Sequence, residues 1–96
     1  MLVLVTYDVS TRTREGRWRL SQAAKICLDY GQRAQASVFE CQVDPARFAE
    51  LKSRLLGVIN PATDSIRFYL LGSNWRRRVE HHGAKPTIDL DGPLIA

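Results

Sequence analysis

The chain has 96 residues and a mass of 10.9 kDa, which corresponds to one domain with a modest core. An apolar fraction of 45% and a charged fraction of 25% exclude a wholly disordered or a collagen-like chain. No apolar run approaches the ~20 residues that a membrane span requires, and residues 1–5 lack the basic lead of a signal peptide. Two cysteines are too few for a disulfide framework, so we expect a reduced, cytoplasmic compartment and no membrane partner.

The net charge of +4 comes mainly from arginine, which supplies eleven of the fourteen basic residues. The planar guanidinium group makes bidentate contacts with phosphate, so an arginine-rich surface favours a nucleic-acid partner. Many small basic proteins bind no nucleic acid, however, and charge alone does not distinguish the two cases.

The first half of the chain predicts a strand followed by a helix. Residues 1–7 form a continuous apolar run closed by Asp8, typical of a strand buried on both faces. Residues 9–14 are rich in Ser, Thr and Arg and predict a loop. Residues 15–30 predict a helix, and Gly31 stands where a left-handed C-cap is expected. The apolar positions at helical spacing are Leu20, Ala24, Cys27 and Leu28.

The second half predicts extended structure, a second helix and a last strand. Residues 32–43 alternate well enough for one bent strand or for two short strands around residues 36–37. Asp44 and Pro45 are a strong helix start, and this helix is predicted to end at Gly57 or at residues 60–61. Residues 66–71 then alternate as a strand, with Ile66, Phe68 and Leu70 on one face and Arg67 and Tyr69 on the other.

This β-α-β-β-α-β order predicts an α+β fold, a ferredoxin-like sandwich of four antiparallel strands with both helices on one face. We assign residues 1–72 to the sandwich. Residues 73–96 are a basic linker and an alternating segment, 86–91, within the same single domain. The natural place for this extra C-terminal strand is a sheet edge, either the chain's own or that of a dimer partner.

Asp8 is the first candidate for chemistry, because a carboxylate at the end of a buried strand is well placed to hold Mg²⁺ or Mn²⁺. The alternative is that Asp8 caps the following loop through its own backbone. One carboxylate is a poor metal site by itself, and neither Glu15 nor Asp29 is obviously beside it. A two-fold dimer with its axis near Asp8 would bring two carboxylates together.

Two groups of arginines are candidates for phosphate binding. Four members of the first group lie in the loop and first helical turns after Asp8, where they oppose the helix dipole, so helix stability does not explain their placement; the fifth, Arg33, follows the helix. The second lies beside Trp75 and is compatible with binding a nucleic-acid backbone. The alternative for both is a solvated basic face. The first group is Arg12, Arg14, Arg17, Arg19 and Arg33; the second is Arg76, Arg77 and Arg78.

The other chemistry-bearing residues carry weaker signals. Tyr7 and Trp18 can be core residues or can sit beside the site. Cys27 and Cys41 fall on apolar faces and are expected in the core. His81 and the adjacent His82 have poor spacing for a metal pair, and no serine, cysteine or zinc motif is present.

Three segments resemble the CRISPR-associated protein two family. Residues 7–9 read Tyr-Asp-Val, residues 64–69 read Asp-Ser-Ile-Arg-Phe-Tyr, and residues 30–40 carry the more specific Tyr-Gly-Gln-Arg-Ala-Gln-Ala-Ser-Val-Phe-Glu. The resemblance covers residues 1–72 in order and spacing. It implies a ferredoxin-like homodimer that bridges pairs of the CRISPR integrase subunit during spacer acquisition, with captured double-stranded DNA lying across it. Some members of that family cleave single-stranded RNA or double-stranded DNA in a metal-dependent way.

The resemblance also implies site residues. Asp8 corresponds to the family's metal ligand, with Mg²⁺ or Mn²⁺ shared between two protomers, and Tyr7 lies beside it. Arg17 or Arg19 matches the basic residue after the helix start, while Arg33 and Phe39 match the residues after Tyr-Gly and in Ser-Val-Phe. The family's C-terminal strand commonly crosses to the partner's sheet. The alternative function is a generic ferredoxin-like nucleic-acid-binding module without nuclease activity; an RNA-recognition motif or an acylphosphatase-like enzyme fits the residues poorly.

Overall fold

The computed structural model describes residues 1–83, and within them it confirms the predicted α+β order. The elements in chain order are β1 (Leu2–Asp8), α1 (Arg14–Leu28), β2 (Gly31–Gln35), β3 (Val38–Gln42), α2 (Pro45–Leu56), β4 (Ser65–Gly72) and a short 3₁₀ helix (Trp75–Arg77). The four strands form one antiparallel sheet in the order β2-β3-β1-β4, as expected for a ferredoxin-like fold. The predicted strand at residues 86–91 lies outside the described residues.

Both helices pack on one face of this sheet, which we call the covered face. Alternate residues of the central strand β1, namely Val3, Val5 and Tyr7, join Phe39 and Cys41 of β3 in a single buried cluster. The helices add Ala23, Ile26, Cys27, Leu51 and Leu55 to that cluster. The other face, which we call the open face, carries the alternate positions, of which Leu4 and Thr6 are only half-buried. The prediction that β1 is buried on both faces is therefore wrong for part of its open face, because no helix among residues 1–83 covers that side.

The helix starts follow their capping residues. The Thr13 hydroxyl accepts a hydrogen bond from the Gly16 N–H at 3.0 Å, and the Asp44 carboxylate accepts one from Arg47 N–H at 2.7 Å. Each bond satisfies one of the four N–H groups that a helix start leaves without a partner. Helix α2 ends at Leu56 with Gly57 as its C-cap, which was the first of the two predicted ends.

Gly31 does not have the predicted left-handed conformation. Helix α1 ends at Leu28 with Asp29 as its C-cap, and Gly31 is already the first residue of β2, without a positive φ. A Cβ at Gly31 would lie 2.2 Å from the Glu40 carbonyl oxygen and 2.7 Å from the Cys41 Cα. Glycine is therefore required here by the close approach of β3, and not by a helix cap.

Of the two predictions for residues 32–43, the structure has the two short strands. They form a hairpin that turns at residues 36–37, and the register shifts between Arg33 and Gln35, where a bulge interrupts the pairing. After β4, the Arg78 guanidinium donates to the Leu71 carbonyl at 3.0 Å. No helix within residues 1–83 is both long enough and apolar enough to cross a membrane.

Candidate metal and nucleic-acid site

Asp8 ends the central strand, and its side chain points to solvent on the open face. It forms no hydrogen bond or ion pair with any other residue in the described range 1–83. It borders a shallow groove of about 350 Å³ whose other lining residues are Thr6, Tyr7, Ser65, Arg67 and Tyr69. A carboxylate that the fold leaves without a donor is available to an external cation or to a substrate group.

Arg67 and Tyr69 bring a cation and a phenol to the same groove. Antiparallel pairing places Arg67 opposite Thr6 and Ser65 opposite Asp8. The Arg67 guanidinium donates to the Tyr69 hydroxyl at 3.3 Å, and both side chains are exposed. The sequence analysis put these two residues on one strand face but did not include them in the site. To place them in the site, the register between β4 and β1 must be known, and the alternation of residues within one strand does not determine how it pairs with another.

Tyr7, Arg33 and Phe39 lie together on the opposite side of the sheet from Asp8. Tyr7 and Phe39 are 5% and 0% exposed, and their rings stack with centroids 6.1 Å apart. The Arg33 guanidinium lies 4.9 Å from the Phe39 ring centroid and donates to the Ala36 carbonyl at 2.7 Å. Burial raises the pKa of Tyr7, with a smaller contribution from Cys27. The structure thus groups these three side chains with one another; of the three, Tyr7 also borders the groove of Asp8, and the part of all three in catalysis stays a prediction.

The loop and helix start after Asp8 present three exposed arginines, Arg12, Arg14 and Arg17. The Arg17 side chain donates to the Thr11 carbonyl at 3.1 Å, so it lies back along this loop. Trp18 is 58% exposed and does not belong to the core. The structure thus places a cationic, solvent-facing loop beside the Asp8 carboxylate, and its part in binding phosphate stays a prediction.

Arg19 differs from these arginines because it is paired with Asp64. The Arg19 Nε lies 2.7 Å from Asp64 Oδ2, and the Asp64 side chain is fully buried. Asp64 also accepts from the backbone N–H groups of Asn60 at 2.9 Å and Ser10 at 3.3 Å. The hydrogen bond from Arg19, helped by these N–H groups and by Thr63, lowers the pKa of Asp64 to about 2. The sequence analysis named Asp64 only as the first residue of the segment 64–69 and gave its side chain no role.

The second predicted arginine group lies at the other end of β1. Gly72 at the end of β4 pairs with Leu2, whereas Asp8 pairs with Ser65 at the start of β4. Arg76, Arg77 and Arg78 follow Gly72 and are exposed, with the Arg76 guanidinium 4.5 Å from the Trp75 ring centroid. At the rise of an extended strand, the two ends of β1 are about 20 Å apart. The molecule therefore carries two separate basic regions.

The donors available to a metal within one chain are few. In the part of the chain that the structure describes, no three His, Cys, Asp or Glu side chains group together. Burial raises the pKa values of Cys27 and Cys41 to about 12, so neither thiol is a ready metal ligand or nucleophile. His82 lies 3.8 Å from Glu80, and both are exposed. Asp8 fits a hard divalent cation by its chemistry, but among residues 1–83 no second carboxylate lines the groove.

Comparisons with known protein families and with known sequences both find the same family. The family described as "CRISPR associated protein Cas2" matches residues 1–79. A Rhodospirillum rubrum protein named "CRISPR-associated endoribonuclease Cas2 3" is 63% identical over 98% of this chain and 99% of its own length. A Halalkalibacterium halodurans protein named "CRISPR-associated endonuclease Cas2" is 54% identical, with 99% of each chain covered.

A solved structure supports the same assignment. The crystal structure of Streptococcus pyogenes Cas2 at pH 6.5 superposes with a TM-score of 0.76 and 64% sequence identity, covering 86% of this chain and 100% of that one. Family match, identity and fold agree over most of the chain, and the fold is the one that the sequence predicted. The chain belongs to the CRISPR-associated protein Cas2 family.

Proposed function

We propose that the chain is a cytoplasmic, homodimeric nucleic-acid-binding subunit of CRISPR spacer acquisition that hydrolyses phosphodiester bonds with Mg²⁺ or Mn²⁺. The observation that carries this proposal is the exposed Asp8 carboxylate, which no donor in residues 1–83 satisfies, in a groove with Arg67. The names of these two relatives, endoribonuclease and endonuclease, support the same chemistry.

A dimer explains how one carboxylate per chain forms a metal site. A two-fold axis near Asp8 places the same residue of both protomers at one point, since such an interface is self-complementary. The open face has the composition for this contact, because Leu4 and Val38 are half-buried and Tyr69 is 43% exposed in the single chain. Covering these side chains with a second copy would remove apolar surface from water.

Three residues of the groove, Asp8, Arg67 and Tyr69, and Arg17 of α1 then have a part in the reaction. The two Asp8 carboxylates would hold the divalent cation, which when bound supplies activation of water and stabilisation of the leaving oxygen. Arg67 and Arg17 bind the phosphate, since a guanidinium makes paired hydrogen bonds to two oxygens. Tyr69 orients Arg67 through the hydrogen bond between their side chains.

The two basic regions suit a long, uniformly charged ligand. The strand β1 that lies between them is about 20 Å long, which equals about six base pairs of B-form DNA. We propose that double-stranded DNA spans both regions while the CRISPR integrase subunits bind on either side of the dimer, and that single-stranded RNA is an alternative substrate. Binding should then weaken steeply with salt, because each neutralised phosphate releases counterions.

The test is the Asp8→Asn variant, assayed with single-stranded RNA and double-stranded DNA over a Mg²⁺ and Mn²⁺ titration. We expect cleavage to fall at least about a hundredfold, the effect of losing a metal ligand, while dimerisation and salt-sensitive DNA binding remain. Asp29→Asn is the matched control, because that exposed carboxylate pairs with Arg54 and lies outside the groove. Undiminished cleavage by Asp8→Asn at saturating metal would contradict the mechanism.

A second candidate function is a nucleic-acid-binding module without nuclease activity. The observation that favours it is the lack of a second acidic ligand in the groove of the described chain. This candidate predicts that the wild-type protein binds DNA but cleaves neither substrate at any metal concentration. The same titration therefore distinguishes the two functions.

A further inference from the structure

The backbone of Ser10, two residues after Asp8, is held from both sides. Its N–H donates to Asp64 Oδ1 at 3.3 Å. Its carbonyl oxygen lies against Gly16 of α1, where an added Cβ would come within 1.8 Å of that oxygen. Position 16 therefore has no room for a side chain while the turn keeps this path. The turn that follows Asp8 is thus fixed between α1 and Asp64.

Arg19 determines where Asp64 can lie. Its guanidinium contacts both carboxylate oxygens, with Nε 2.7 Å from Oδ2 and one terminal nitrogen 3.4 Å from Oδ1. The same terminal nitrogen donates to the Thr63 hydroxyl at 3.3 Å. A planar guanidinium with two contacts restricts both the position and the rotation of the carboxylate. Helix α1, the start of β4 and the turn after Asp8 are therefore connected through one carboxylate.

We infer that Arg19 and Asp64 are positioning residues that set the orientation of Asp8, and that Arg17 is the phosphate-contacting arginine of this helix. If Arg19 turned toward a substrate phosphate, the fully buried Asp64 would lose its counter-charge, which is strongly unfavourable. Arg17 carries no such partner, since its one side-chain hydrogen bond in the described range is to the Thr11 carbonyl. This inference rests on the proposed function of Asp8.

The chain provides a matched control in its other carboxylate–guanidinium pair. Arg54 lies 3.0 Å from Asp29, and both side chains are about half exposed. That pair connects the end of α1 with α2 and makes no contact with the turn after Asp8. Arg54→Gln therefore removes an ion pair of the same type without touching the turn.

The first measurement is amide hydrogen exchange of the full chain by NMR, followed at Ser10. We expect Arg19→Gln to raise the Ser10 exchange rate about tenfold, the effect of losing one hydrogen bond, and Arg19→Lys to raise it less. Because Arg19→Gln leaves Asp64 unpaired and can prevent folding, the double variant Arg19→Gln/Asp64→Asn is measured beside it. Arg54→Gln should leave Ser10 at the wild-type rate. An unchanged Ser10 rate in both Arg19→Gln and the double variant would overturn the inference.

The second measurement, steady-state cleavage kinetics, distinguishes a residue that positions Asp8 from one that binds the substrate phosphate. We expect Arg19→Gln or the double variant to lower kcat about a hundredfold with little change in KM, as misplacement of a reacting group does. Arg17→Gln should instead raise KM. Faster Ser10 exchange with unchanged kcat, or a rise in KM alone on Arg19→Gln, would overturn the inference. If the wild-type protein cleaves nothing, the proposed nuclease function fails, and the exchange rates alone decide whether Arg19 and Asp64 hold the turn.

Discussion

The two faces of the sheet are built from neighbouring residues of the same strands, yet one face is buried under the helices and the other is largely exposed. On the covered face, Val5, Tyr7 and Phe39 are almost fully buried under the helices. On the open face, Asp8, Arg67 and Tyr69 are exposed and surround a groove. A side chain in a strand alternates between faces, so Tyr7 and Asp8 are adjacent in sequence but separated by the sheet. The side chains that stabilise the fold and those proposed for the chemistry therefore lie on opposite faces of the same sheet.

This difference changes how the predicted site is understood. Residues that the resemblance grouped together are divided by the sheet, with Phe39 and Tyr7 in the core and Asp8 in the groove. A loss of activity on substitution of Phe39 would not by itself indicate a catalytic role. Each functional test on this chain consequently needs a stability measurement beside it.

The largest effect on stability should come from the covered face. Phe39→Ala is expected to lower the free energy of unfolding by about 3–5 kcal/mol, because it leaves a cavity under both helices. Tyr69→Ala, on the open face, should cost the single chain about 1 kcal/mol or less, since Tyr69 is 43% exposed there. Urea denaturation at several protein concentrations measures both variants and separates this loss from any loss of the proposed dimer, because dimerisation adds a concentration-dependent part to the apparent stability. Equal losses would contradict the comparison.

A smaller effect on stability depends on pH and should differ in sign between the carboxylates of Asp64 and Glu40. The pKa of Asp64 is lowered from 3.8 to about 2, so its charge stabilises the fold above pH 3.8 and this contribution disappears as the pH falls toward 2. Burial raises the pKa of Glu40 on the open face above 4.5, although nearby His81 opposes this shift, so its charge costs stability at neutral pH.

Thermal unfolding between pH 7 and pH 2.5 tests the two predictions for Asp64 and Glu40. Asp64→Asn should be less stable than wild type by about 3 kcal/mol at pH 7, because it breaks a buried ion pair, and the difference should shrink as the pH falls below 4. Glu40→Gln should be at least as stable as wild type at pH 7. A parallel pH dependence of wild type and Asp64→Asn would show that the Asp64 charge adds nothing to stability.

The smallest effect on function is expected for the two thiols of the covered face. Cys27 and Cys41 are both 0% exposed, and burial raises each pKa to about 12, so the reactive thiolate is scarce at pH 8. A thiol reagent should modify the native protein at least about a thousandfold more slowly than the unfolded chain, with DNA binding unaltered. Rapid modification of either cysteine in the native state would mean that the covered face opens.

Much of the fold could be predicted from local signals. Asp44 and Pro45 start α2 as predicted, the predicted bounds of α1 lie within two residues of Arg14–Leu28, and the first of the two ends predicted for α2 is correct. Gly31 was misinterpreted because a glycine after a helix is usually a cap, whereas here the close approach of Cys41 and Glu40 from β3 requires it. That contact is between strands, and no pattern within one segment contains it.

The candidate site was predicted only in part, for the same reason. Asp8 and the arginine-rich loop after it are neighbours in sequence, so a strand end and a charge cluster were sufficient to find them. Arg67 enters the groove through the register of β4 against β1, and Asp64 reaches Arg19 across 45 positions of the chain. Such long-range pairs depend on how the strands align, which local spacing does not determine.

The sequence by itself determined the order of the elements, the surplus of arginine and the position of Asp8 at a strand end. Local propensity, capping and alternation are short-range effects, and they act before the chain is folded. Only the tertiary structure decided which arginine remains available, because the buried Asp64 pairs with Arg19 and leaves Arg17 exposed. A buried carboxylate must find a counter-charge, and that requirement exists only once packing has removed the carboxylate from water.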